Sequence, residues 1–230
     1  PRRPVYAGIN GDFYVLQSGP FQGDPIGLCV IDGELVSHPI GRSTFALLED
    51  GAPVIARFSF DGTVGKNGDT HSLYGVNQRC PANGIVLLTP RFNNETRPHD
   101  DSVALLAGGL VVPVAPNGSY TFSVREIRDA TSPVTIPPHT VVFIGRGEGA
   151  EFLSGFRPGA PVSGSLDVTP DLGGIRHAIG GMPRIIRDGE VAIEAEEDKV
   201  AESFVTTRHP RTAIGYNNDR LFLVTVDGRQ

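Results

Sequence analysis

Asp-Gly pairs punctuate this chain at Asp32-Gly33, Asp50-Gly51, Asp61-Gly62, Asp188-Gly189 and Asp227-Gly228. A pair that tolerates positive φ closes tight hairpins, so these pairs mark candidate turns at a pace that fits a β-dominated fold. Residues 27–31 and 34–37 flank the first pair and residues 44–48 and 54–60 the second. The alternation of Ala56, Phe58 and Phe60 has the period of a half-buried strand. Residues 103–107 and 110–114, on either side of Gly108-Gly109, make a further hairpin candidate. Helix signals are few. Residues 123–130 carry Val124 and Ile127 at a spacing that permits a short helix, although Tyr120-Thr121-Phe122 favours a strand. The acidic stretch 194–204 reads as a solvated loop or short helix. With 29 glycines, 19 prolines, 39% apolar and 20% charged residues, the composition suits many short strands and argues against disorder. The expectation is one α+β domain over residues 1–230, β-rich, with mixed or antiparallel sheets, many hairpins and few short helices.

Several function classes are disfavoured. A net charge of −6 with no Lys/Arg-rich cluster is a poor match for a nucleic-acid partner. No run of apolar residues reaches membrane-spanning length, so no transmembrane segment is expected. His38, His71, His99, His139, His177 and His209 show neither HExxH nor HxH spacing, and Cys29 and Cys80 form no CxxC pair. No metal is therefore expected. The two cysteines are consistent with one disulfide in an exported protein or with two buried thiols. Gly145-Arg146-Gly147-Glu148-Gly149 lacks the spacing of a dinucleotide loop and has no evident helix after it, so no nucleotide cofactor is expected.

The end of the chain is richer. Runs 212–216 and 221–226 flank an Asn217-Asn218-Asp219-Arg220 turn and read as a β-hairpin. Its closure brings Arg208, His209 and Arg211 to the same edge as Asp227 and Arg229, within reach of one anionic ligand. Arg211 is the foremost anion contact, because a planar guanidinium grips two phosphate oxygens where an ammonium cannot; a plain surface arginine is the competing reading. Asp227 is either a turn residue or a carboxylate that stabilises a cationic sugar. Asn10-Gly11 is either a turn or an amide presented beside a backbone that a ligand approaches closely. Gly180-Gly181 is either a sharp loop or a concave nest of amide groups for an anion.

Three segments carry a resemblance, in order along the chain: residues 7–14 (Ala-Gly-Ile-Asn-Gly-Asp-Phe-Tyr), residues 178–183 (Ala-Ile-Gly-Gly-Met-Pro) with Asp188-Gly189, and residues 208–230 through Pro210-Arg211-Thr212-Ala213-Ile214-Gly215 to Asp227-Gly228-Arg229-Gln230. Together they resemble the phosphodiester glycosidase family. Gly75-Val76-Asn77-Gln78-Arg79 before the apolar run 84–89 is a weaker fourth match. The resemblance implies a hydrolase that cuts between an α-linked sugar, N-acetylglucosamine among them, and a phosphodiester, in a secreted or extracytoplasmic setting. It gives Arg211 and Asp227 catalytic roles and makes Asn10, Gly180, Gly181, Arg208 and Arg229 contacts to a carbohydrate or sugar-phosphate substrate. The sequence departs from the family by stopping at Gln230, before a helix and an Asp-Gly-Gly-Gly-Ser type loop, and by opening at Pro1 without an upstream strand. Truncation at both ends is expected, with a second carboxylate supplied by that loop or by Asp12. A glycosidase acting on a phosphate-free cell-surface or exopolysaccharide glycan, and a non-catalytic glycan-binding module, are the alternatives.

Overall fold

The computed structural model describes residues 5, 7–11, 13–19, 21–109 and 113–228. In chain order the elements are β1 (Phe13–Tyr14), β2 (Pro25–Ile26), β3 (Cys29–Ile31), β4 (Glu34–Ser37), β5 (Ser43–Leu48), β6 (Pro53–Arg57), β7 (Ser59–Lys66), β8 (Asp69–Leu73), β9 (Gly75–Val76) and β10 (Ile85–Leu88). There follow β11 (Ser102–Gly108), β12 (Gly118–Asp129), β13 (Val141–Arg146), α1 (Glu148–Ser154), β14 (Pro161–Thr169), β15 (Ile175–Gly180) and β16 (Ile186–Arg187). Last come β17 (Glu190–Val191), α2 (Glu202–Thr206), β18 (Arg211–Tyr216) and β19 (Leu221–Val226). The chain is a β-rich α+β protein with two short helices among its described residues.

An eight-stranded sheet runs β8-β7-β14-β12-β11-β13-β10-β9, and a five-stranded sheet runs β4-β3-β15-β5-β6. All the pairings are antiparallel except β9 with β10. One apolar core joins the two sheets: Leu28, Val30, Leu35 and Ala46 from the smaller meet Val64, Leu105, Phe122 and Phe143 from the larger. The large sheet is covered on its other face too. Ile85 and Leu87 of β10 enter the shared core, while Val86 and Leu88 enter a second cluster with Leu106, Val142 and Ile144. Two-sided burial explains why β10 and β13 read as continuous apolar runs rather than alternating ones. Leu153 of α1 is fully buried in the shared core, which contributes roughly 1.5–3 kcal/mol.

Some expectations from the sequence change here. Asp32-Gly33 and Asp188-Gly189 do close hairpins, with all four residues at positive φ. Asp61-Gly62 instead lies inside β7, paired with Asp167 and Leu166 of β14. Gly62 stands there because the Phe60 ring folds over it: a Cβ would lie 2.6 Å from that ring. The segment 103–107 pairs with β12 and β13 rather than with 110–114, and 110–112 lie outside the described residues. Residues 123–129 continue the strand begun at Gly118, as the aromatic triplet favoured and the helical spacing did not. A helix does follow the glycine-rich run 145–149. Its glycines serve packing: a Cβ on Gly145 would strike the Gly149 backbone, and one on Gly149 the Gly84 backbone. No strand forms among the described residues before Phe13. Cys29 and Cys80 are not joined to each other; burial pushes the Cys80 thiol up to about 11, far from a reactive thiolate.

Candidate functional site

The acidic stretch 194–204 is not simply solvated. Asp198 has no exposed surface. Its Oδ1 accepts the Ser43 amide at 2.9 Å and the Arg57 guanidinium at 2.8 Å, and its Oδ2 accepts the Arg184 amide at 3.0 Å. Glu194, also buried, takes Arg57 at 2.5 Å and Arg187 at 2.6 Å. Burial alone would push both carboxyls up, yet the hydrogen bonds and the arginine charges outweigh it and hold both below the ordinary carboxylate range. One carboxylate thus ties the start of β5 to the segment that leaves the Gly180-Gly181 turn through the Met182-Pro183 bond. Nothing in a string of glutamates and aspartates marks which of them faces inward, and Arg57 lies at a strand end that otherwise reads as half-buried.

Two contacts link segments singled out in the sequence to one another. Thr212, next to Arg211, donates its hydroxyl to the Asn10 carbonyl at 3.0 Å. Gly11 packs so closely on Ile179, next to Gly180, that a Cβ would lie 2.7 Å from its Cδ1. The segment 10–11 therefore bridges β18 and β15, with the Asn10 side chain exposed. The Phe13 ring meets Phe204 of α2 tilted, with centroids 5.9 Å apart, and the Arg211 guanidinium lies 4.0 Å over the same Phe204 ring. At the hairpin's open end Arg211 pairs with Val226, one residue before Asp227. Gly228 is pressed against the His209 backbone so tightly that a Cβ would collide with its carbonyl. Asp227 and Arg208 are both exposed. Asp12 and Arg229 lie outside the described residues.

Two details differ from the simple picture of an anion grip. The Gly181 N–H is already committed, donating to the Ser43 carbonyl at 3.0 Å, so that amide is not left for an anion. Arg211 is partly committed as well. Its Nη2 donates to the Phe204 and Thr207 carbonyls at the end of α2, and stacking on Phe204 fixes the plane of the guanidinium. Nε and Nη1 make no hydrogen bond among the described residues.

Beside the turn lies a small recess of about 10 Å³, room for roughly one water molecule, lined by Phe13, Leu28, Ile40, Arg42, Gly180 and Gly181 among others. Arg42 was not singled out in the sequence; it follows Gly41 in an unremarkable polar turn, and only the tertiary fold brings it to Gly180.

The described residues include no helix long and apolar enough to cross a membrane. No curated protein sequence matches this chain. Two solved structures share the fold at 18% identity: a hypothetical protein from Synechocystis, with TM-score 0.71 over 94% of this chain, and a presumed exported protein from Burkholderia pseudomallei K96243, with TM-score 0.68 over 96% of it. The chain spans 39% and 53% of their respective lengths. A family model described as phosphodiester glycosidase matches residues 108–230, more than half of the chain and the part that holds Gly180-Gly181, the buried carboxylate mount and the terminal hairpin. The chain belongs to the phosphodiester glycosidase family.

Proposed function

We propose that this chain carries the site of a hydrolase that cuts an α-linked sugar, N-acetylglucosamine among the candidates, from a phosphodiester outside the cytoplasm. The observation that carries the reading is the family match over residues 108–230. Its support in the geometry is the bridge that segment 10–11 makes between Ile179 and Thr212, which draws the three motif-bearing segments into one neighbourhood.

In this reading the bond between sugar C1 and the phosphate oxygen breaks and its electron pair leaves on the phosphomonoester. A water oxygen bonds to C1, its displaced proton passes to solvent or to the phosphate, and the products are free sugar and phosphomonoester. A phosphate ester is a good leaving group, so the need for a strong general acid is small. The demand falls on the positive charge at C1, which the Asp227 carboxylate stabilises. Arg211, held flat by Phe204, offers its remaining guanidinium edge to the phosphate, with Arg208 and Arg229 as further cations. Asn10 and the Gly180-Gly181 turn orient the sugar.

The test is turnover of a sugar-phosphate diester by full-length protein carrying Arg211→Lys or Asp227→Asn, with thermal melting as a control for folding. Each substitution is expected to lower turnover on the order of a hundredfold or more. Normal turnover by both well-folded variants would remove the two residues from the chemistry. A wild type that binds glycan but turns over no diester would favour a binding module.

A further inference from the structure

We propose that the open cleft beside the β3–β4 hairpin is a second binding site, separate from the candidate catalytic residues, and that it takes one neutral sugar ring through the Glu34 carboxylate and the Arg91 guanidinium. The site does not rest on the hydrolase reading. The cleft holds about 250 Å³ and is lined by Ile31, Asp32, Glu34, Arg91 and Pro113, a volume near the lower end of small-ligand sites. Glu34 is only 8% exposed, yet one of its two carboxylate oxygens is unused. Oε2 accepts Arg91 Nε at 2.6 Å, while Oε1 makes no hydrogen bond among the described residues. The terminal nitrogens of Arg91 likewise have no protein acceptor among these residues. An open acceptor beside open donors leaves one hydrogen bond of each sense for a ligand. An anion would meet Asp32 and Glu34, and a cation would meet Arg91. A hydroxyl both donates and accepts, so neighbouring hydroxyls of a sugar satisfy both groups. Ile31 and Pro113, both exposed, offer apolar surface to the C–H face of the ring.

The cleft is built on fixed backbone. Ile31 and Glu34 are a cross-strand pair of β3 and β4. The Gly33 amide at their turn donates to the Arg176 carbonyl at 2.8 Å, and the Leu35 amide donates to the Val114 carbonyl at 2.8 Å, which sets Pro113 beside Glu34. Arg91 is placed through Asn77. The Asn77 side chain donates to the Val36 carbonyl of β4 at 3.0 Å and accepts the Thr89 amide at 2.8 Å, and the Thr89 hydroxyl accepts the Arg91 amide at 3.2 Å. The segment Gly75-Val76-Asn77-Gln78-Arg79 thereby ties the end of β10 to β4 and brings the arginine to its glutamate, the support a preorganised site needs. Register relates the cleft to the candidate site. Val30 pairs with Ala178, both in the core, and the exposed Ile31 and Ile179 stand on the opposite, outer face of the small sheet. Gly11 packs on Ile179, so the cleft shares that face with segment 10–11, on the order of 10 Å away by strand spacing.

Methyl NMR of full-length protein labelled at isoleucine tests this, because Ile31 lines the cleft and Ile179 adjoins Gly180. Titration with glucose, galactose, mannose and N-acetylglucosamine is expected to move the Ile31 methyl saturably with at least one of them, at a dissociation constant on the order of millimolar. Arg91→Met, at a half-exposed position, is expected to weaken that response about tenfold or more, as loss of a charge-assisted contact implies. Thermal melting is the control for folding. Arg91→Lys, which keeps a cation beside Glu34, supplies the same comparison if Arg91→Met does not fold, with a weakening of several-fold expected. The assignment is overturned by no saturable shift of Ile31 with any of the four sugars, by shifts confined to Ile179, or by an equal response in the well-folded variant. A stronger response of Ile31 to methylammonium or inorganic phosphate than to every sugar overturns it too. The Ile31 response is expected whether or not the protein cleaves a sugar-phosphate diester, so absence of turnover removes the hydrolase reading alone.

Discussion

Asp198 holds donors from three separate parts of the chain, the Ser43 amide, the Arg57 side chain and the Arg184 amide, without touching water. Removing it leaves the Ser43 and Arg184 amides unpaired and the half-buried Arg57 guanidinium with Glu194 alone, so Asp198→Ala is expected to destabilise by about 2–5 kcal/mol, measured by urea unfolding at neutral pH. The carboxyl is held below its ordinary value of 3.8. Its contribution is therefore fully present above that pH and lost as the pH falls through the lower folded value. His38 works in a higher window. Burial pushes its imidazole from 6.5 down to about 4, so between those values the unfolded chain binds more protons and stability falls as the pH is lowered. The expected loss is on the order of 3 kcal/mol over the whole window, about 2 kcal/mol of it between pH 7 and pH 5. Unfolding free energies of wild type and His38→Gln at pH 7 and pH 5 check it, and an undiminished slope in the variant would acquit His38. Gly228→Ala forces a methyl group into the His209 backbone, and a loss of about 1–3 kcal/mol should appear in the same assay.

At the scale of elements, the terminal hairpin was legible because alternation and turn residues agree: runs 212–216 and 221–226 pair from Arg211 with Val226 to Tyr216 with Leu221. The strand β12 and the helix α1 were less so. In β12 the Val124 and Ile127 spacing fits either period, and pairing with β11 and β14 decides it. In α1 the glycines look like loop and are needed for contact with Gly84 and Gly145. Arg211 was singled out by residue type, but its stacking on Phe204 depends on where α2 lands, which no local pattern encodes. The burial of Asp198 was illegible for the same reason. The strand β19 pairs only with β18 among the described residues, and Leu221, Phe222, Leu223, Val224 and Val226 are all exposed, with no lysine or proline to blunt the edge. Light scattering should rise with protein concentration, and Val224→Lys should suppress the rise while shifting stability by no more than about 0.5 kcal/mol. Scattering unchanged by that substitution would place the association elsewhere.

For the whole molecule, composition and turn spacing were enough to expect a β-rich protein, because those features are local. The partition into an eight-stranded and a five-stranded sheet sharing one core was not, since it is set by pairings such as that of β15 with β5, more than a hundred residues apart in sequence. That long-range closure also sets which segments meet: segment 10–11 touches Ile179 beside the Gly180-Gly181 turn and Thr212 of the terminal hairpin. The central claim is that this neighbourhood directs water to a sugar carbon and expels a phosphomonoester. The most direct measurement is hydrolysis of a sugar-phosphate diester by full-length protein in ¹⁸O-labelled water, with both products analysed by mass spectrometry. The account predicts label in the released sugar and none in the phosphomonoester. Label in the phosphate, or no cleavage at all by folded protein, would contradict it.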